Sequence, residues 1–251
     1  MGTWAQPFLP FMMLLGRITA FMVVLPIFGW RALPGRMKAG MAMLLTVFFA
    51  MILPAPAALA APLGWVAASL LLTGEIICGL ALGLAVRMVF SAVEIGGRIT
   101  SRQMGLALAG TFDPLTGDQG QPLAMMLEIV FVLFILVSNG HHLFLALIFR
   151  SYQVFPVGAT PTIGAMAEAL VLAGSTMLVF GLKLAAPVLA AFLCLSVFLA
   201  ILARVLPELN VLFLSLPLRV GLGLFMASAM VPMLRTLTQE LAKWLNGLLA
   251  V

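Results

Sequence analysis

The sequence predicts an all-α, polytopic membrane protein with about six long apolar helices, some of them bent or hairpin-like. Three observations predict it. Of 251 residues, 64% are hydrophobic and only 8% are charged, against about 25% charged in a soluble domain. The mean hydropathy is +1.22. Several separate apolar runs reach the roughly 20 residues that cross a bilayer as a helix, and they are continuous rather than alternating, which favours helices over a barrel.

The first run goes from about Phe8 to Trp30, is broken by Arg17 and ends near Pro26. A basic loop with Arg31, Arg36 and Lys38 follows, and then a short run from Ala39 to Leu53 that ends in PAPAALAAP. The third run, about Leu63 to Val86, contains Glu75 and closes at Arg87, with helix expected to continue to Gly97. Leu123 to Phe149 holds Glu128 and Asn139-Gly140-His141-His142. The block Ala165 to Ala203 is too long for one crossing, and Lys183 and Pro187 suggest a bend or a hairpin. Val211 to Leu234 and an amphipathic tail complete the chain, read as a single domain over 1–251.

The stretch that differs from all of this is Glu94–Pro122, EIGGRITSRQMGLALAGTFDPLTGDQGQP, the longest interruption between apolar runs. It holds both Asp residues, Asp113 and Asp118, and many glycines. Gly96, Gly97 and Gly110 read as hinges of a movable loop or simply as tight-turn residues. Gly74, Gly79 and Gly83 suit close helix packing.

Arg17, Glu75, Glu128, Lys183 and Arg219 fall inside apolar runs. A charge at mid-membrane costs about 3 kcal/mol on insertion scales, so each needs a partner or a wet cavity. The alternatives are an ion or substrate pathway and pairing between helices or subunits that fixes assembly. Arg204 and Glu208 are a turn apart, but Pro207 stands between them. The net charge is +5, and most of the 13 basic residues sit singly at helix ends. That fits orientation determinants rather than a nucleic-acid surface. If the N-terminus faces outward, Arg31, Arg36, Lys38, Arg87, Arg98, Arg102 and Arg204 collect on the cytoplasmic side. No phosphate loop, nucleophile elbow or paired polar carboxylates point to an enzyme, and no cofactor is implied. Cys78 and Cys194 read as small core residues, and His141-His142 as packed histidines rather than metal ligands.

Several segments together resemble the FliR family, the flagellar export-gate proteins of type III secretion, which are related to the injectisome proteins of the SctT and SpaR type. They are Arg17 with Pro26 and Phe28; GRITSRQMGLALAGTFDPLTG; Asn139-Gly140-His141; Ser151-Tyr152; Pro156-Val157-Gly158; GLKLAAPVLAAF; and ARVLPELNVLFLSLPLRVGLGL. The doubled histidine and Glu208, where Gln is usual, depart from the pattern. The resemblance implies a non-enzymatic subunit of an export gate in the bacterial inner membrane, at the flagellar basal body. It implies assembly with FliP- and FliQ-type subunits, contact with a larger FlhB-type protein and with lipid, and passage of unfolded flagellar subunits. It also implies that Met104–Pro122 plugs the channel, with Met104, Gly105, Leu106, Phe112, Asp113 and Pro114 as plug or gasket residues. The family's helices rise from the membrane as a cone, so six conventional spans are not required. Two other readings compete: an injectisome gate subunit, and a proton-coupled small-solute transporter using Glu75, Glu128 and Lys183. A scaffold without a conduction path is a further one.

Overall fold

A computed structural model describes residues 5–26, 34–53, 64–105, 122–159, 162–208 and 210–248. Among the described residues there are seven helices: α1 (Ala5–Val24), α2 (Gly35–Ile52), α3 (Trp65–Gln103), α4 (Pro122–Val137), α5 (His141–Val154), α6 (Ile163–Val205) and α7 (Val211–Leu248). Apolar side chains alone do not impose helix. The bilayer does, because backbone N–H and C=O groups find no water in hydrocarbon and must pair within their own segment.

Helix ends follow local chemistry. Leu53 precedes Pro54 and takes an extended conformation, φ −77° and ψ 138°, closing α2. Phe155 precedes Pro156 and is likewise non-helical, φ −124° and ψ 88°, closing α5. The proline ring disfavours helical geometry in the residue before it. At the start of α6, the Ala165 N–H donates to Thr162 Oγ1 at 3.4 Å, a side-chain N-cap. Pro187 and Pro232 are accommodated inside α6 and α7. Neighbouring helices make such breaks tolerable in membrane proteins.

Two expectations change. The 165–203 block is not a hairpin: α6 is one continuous helix of 43 residues with Pro187 inside it. The Gly-rich stretch does not begin as a loop either, since α3 runs 39 residues and carries Glu94 to Gln103 with it. Four helical segments, among them Gly35–Ile52 and Phe213–Leu241, are long and apolar enough to cross a membrane, or five if α4 and α5 count as one broken span. At 1.5 Å per residue, α3 and α6 are about 60 Å long, twice the hydrocarbon thickness.

Close Cα packing divides the chain into two compact units. The first comprises 1–88, 140–175 and 242–251, and the second comprises 89–139 and 176–241. In the first unit, Met13, Ile18 and Phe21 of α1 are buried together with Val86 of α3 and Phe144 and Ile148 of α5. Only one face of α2 joins them, through Ala42, Thr46 and Phe49. In the second unit the core draws on Phe90, Val93, Leu127, Phe131, Val188, Phe192, Met230 and Leu234. Phe90 and Phe131 meet edge to face, with centroids 5.2 Å apart.

Much apolar surface is left over. Leu44 and Met51 of α2 are 73% and 84% exposed, and the apolar window of Phe213–Leu241 is 17% buried. Contiguous apolar surface on this scale needs lipid or protein against it.

Candidate functional site

Two constellations hold the polar and glycine residues singled out above, one in each unit. In the first unit α1 and α3 come into close contact because glycine permits it. A Cβ on Gly79 would overlap the Arg17 carbonyl oxygen, and one on Gly83 would lie 3.0 Å from that of Phe21. This is small-residue packing at a spacing of four. It brings together two charges that lie 58 residues apart in the chain.

Arg17 is 1% exposed and Glu75 is wholly buried. Arg17 Nε donates to Glu75 Oε2 at 2.6 Å. Its Nη1 donates to the carbonyl oxygens of Phe155 at 3.0 Å and Ser151 at 3.3 Å, and to Ser151 Oγ at 3.4 Å. The guanidinium carbon stacks 4.2 Å over the Tyr152 ring centroid, and the Tyr152 hydroxyl donates to the Leu14 carbonyl at 3.3 Å. The second carboxylate oxygen, Glu75 Oε1, accepts the Gly158 N–H at 2.8 Å. Gly158 sits at φ +87°, a region that side chains disfavour. One ion pair therefore joins α1, α3, the end of α5 and the turn after it. Buried charges persist only with such extra hydrogen bonds.

Beyond the pair the surroundings are apolar. A cavity of about 160 Å³ bordered by Cys78, Ala85, Ser151, Phe155 and Ala169 contains one ionisable carboxylate, the exposed Glu168. No relay of charges leads away from Arg17 and Glu75 on that side, among the described residues. The geometry is that of a tie between segments.

The second constellation is the end of α3. Gly96 and Gly97 do not form a turn: both are helical and buried. A Cβ on Gly97 would lie 2.5 Å from the Ala124 α-carbon of α4, and one on Gly96 would lie 3.1 Å from Leu184 Cβ and 3.2 Å from Met230 Cε. Two adjacent glycines here serve the approach of several neighbours at once. The turn comes eight residues later, at Gly105. Met104 N–H donates to the Thr100 carbonyl at 3.0 Å and Gly105 N–H to the Arg102 carbonyl at 3.1 Å. Gly105 then takes φ +80°, the left-handed geometry that commonly ends helices.

The resemblance implies a plug or gasket role for Met104. That side chain is 2% exposed, packed against Gly223 of its own chain. Arg219 Nη1 approaches the Gln103 carbonyl at 3.5 Å. Of the remaining loop residues, Leu106, Gly110, Phe112, Asp113 and Pro114 lie outside the described residues. Lys183 is exposed, its ammonium 5.3 Å from the Phe180 ring centroid. Glu128 is half-buried, and Arg204 and Glu208 are exposed on either side of the end of α6. The structure thus gathers Arg17 with Glu75, and Arg219 with Gln103–Met104. Lys183, Arg204 and Glu208 remain at the surface. The roles of Ser151, Tyr152 and Gly158 as partners of the ion pair carry no spacing signal.

The sequence model of the family described as "Bacterial export proteins, family 1" matches residues 8–244. The chain is 32% identical over 251 residues to the flagellar biosynthetic protein FliR of Pectobacterium carotovorum subsp. carotovorum, covering 100% of this chain and 94% of that protein. It is 34% identical over 219 residues to the FliR of Bacillus subtilis (strain 168), covering 86% and 83% of the two chains. It is 29% identical over 220 residues to the Yop proteins translocation protein T of Yersinia pestis, covering 85% and 82%.

Proposed function

This chain belongs to the bacterial export proteins, family 1, and we propose that it is a non-enzymatic subunit of the flagellar type III export gate. The observation that carries this reading is similarity along the entire chain to proteins named for flagellar biosynthesis. The chain is a membrane protein of a family associated with type III export. We place it in the bacterial inner membrane at the flagellar basal body, where it acts as one export-gate domain. Its neighbours there are FliP- and FliQ-type subunits, with a FlhB-type protein and lipid around them, and its cargo is unfolded flagellar protein.

The physical form suits this role. α2, α6 and α7 leave most of their apolar surface bare, and helices about 60 Å long extend beyond a bilayer. Partner helices cover such surface more completely than lipid alone. Within this reading Met104–Pro122 obstructs the channel, with Met104, Gly105, Leu106, Phe112, Asp113 and Pro114 as its plug or gasket residues. The buried Arg17–Glu75 pair maintains the fold around it rather than moving protons, which supports a gate subunit over a small-solute transporter.

Deleting Gly105–Gly120 in cells tests the reading. The expected result is an inner membrane leaky to small ions, with export of filament subunits impaired. A tight membrane with normal export would remove the plug role. Co-purification of the chain with two other hydrophobic subunits is expected, and recovery as a lone functional transporter would sink the gate assignment. An injectisome role, suggested by the Yersinia relative, predicts rescue of an injectisome mutant but not of a flagellar one.

A further inference from the structure

We propose that Gly223 and Arg219 are positioning residues that seat the end of α3 at Gln103–Met104, and so fix the point from which the segment after Gly105 leaves the helix. The inference rests on the reading of that segment as a channel plug, and it adds what holds the plug's root in place.

Gly223 has no side chain, and the space beside its α-carbon is filled by Met104. A Cβ there would overlap Met104 Cγ and Sδ, and would lie 2.9 Å from Cε. Three consecutive atoms of one side chain lie against one bare backbone position. Met is unbranched and polarisable, which suits an irregular recess of this kind. Arg219 lies one turn earlier on the same face of α7, and its Nη1 is 3.5 Å from the Gln103 carbonyl. That carbonyl is among the last four of α3, which lack a partner within their own helix. A cation at a helix C-terminus also complements the negative end of its dipole.

The stripe continues along α7. Seven residues beyond Gly223, Met230 Sδ lies 3.7 Å from the Thr100 hydroxyl, which donates to the Gly96 carbonyl at 2.9 Å, and its Cε lies beside Gly96. Residues 219, 223 and 230 therefore track the last two turns of α3. Gly221, two residues from the recess, has nothing within 4 Å of an added Cβ. The requirement for glycine is specific to the position that faces Met104.

The test uses cells carrying the complete gate, with ion leak and filament-subunit export normalised to the amount of assembled subunit. Gly223→Ala is expected to raise leak by about fivefold or more, the population shift that the smallest overpacking penalties produce. Gly221→Ala is expected to leave it unchanged. Leak in G223A that stays at the wild-type level overturns the proposal.

A second measurement reads the seat without the plug. In a chain carrying Cys78→Ala and Cys194→Ser, Met104→Cys is expected to resist a thiol reagent. It should react at least about tenfold faster once Gly223 is replaced by Val, as a buried thiol does when exposed. Equal reactivity in both backgrounds overturns the seat. If the 105–120 deletion leaves the membrane tight while the thiol introduced at position 104 still responds to the change at Gly223, the plug reading fails and the seat stands.

Discussion

The tie at Arg17 and the seat at Met104 solve the same problem, joining helices that are far apart in sequence, by opposite means. The first uses charge. Arg17 and Glu75 are stripped of water and hold each other with directional bonds to Phe155, Ser151 and Gly158. The second uses shape: an unbranched side chain fills the space left by a missing one. A buried charge that loses its partner is far more costly than a thioether displaced from a recess. The contrast suggests a division of labour, with a permanent joint in the first unit and a releasable one in the second.

The largest effect should come from breaking the charged joint on one side. Glu75→Ala leaves Arg17 buried without its counter-ion and is expected to cost about 3–5 kcal/mol, removing most folded subunit from the membrane. The double substitution Arg17→Met with Glu75→Leu is expected to be much milder, because neither charge remains to be desolvated. Immunoblots of the membrane fraction and thermal unfolding of the detergent-purified complex read both. If the double variant is as damaged as the single one, the hydrogen bonds to the 155–158 turn matter more than the charge balance.

Next in size is the closest backbone approach in the second unit. Gly97→Ala places a methyl group 2.5 Å from the Ala124 α-carbon and is expected to cost about 1–3 kcal/mol by overpacking. Unchanged unfolding in G97A would show that α3 and α4 separate freely. A smaller change is expected at the start of α6. Thr162→Ala removes a long N-cap bond of 3.4 Å and should cost about 0.5–1 kcal/mol, seen as a small drop in melting temperature. The smallest belongs to the exposed Glu94–Arg98 pair one turn apart on α3. Arg98→Ala should change stability by less than about 0.5 kcal/mol, and a larger loss would mean that Arg98 contacts a partner subunit.

The class of the protein was legible because composition reports the solvent. Continuous apolar runs leave the backbone no choice but helix. Pro54 also marked its helix end correctly, since the restriction it places on the preceding residue is local. The errors came where a residue has different meanings in different surroundings. Gly96-Gly97 read as a turn because isolated glycine favours one, yet in a crowded helix interface it is the residue that lets a neighbour approach. Arg17 and Glu75 were recognisable as charges in need of partners, but no spacing rule reaches across 58 residues to pair them. The packing of Met104 was not legible either, because periodicity cannot tell which glycine on another helix makes room for it.

The length of α3 and α6 bears on how the cell supplies this protein. A helix of about 60 Å contour length exceeds the roughly 30 Å of hydrocarbon, and these helices carry apolar side chains over much of that length. A chain made faster than its companions therefore presents greasy surface to water, the mark by which quality-control proteases select their targets. On the proposed assembly, its steady-state amount is expected to follow the number of companions, and overproduction alone to add degradation products rather than gates.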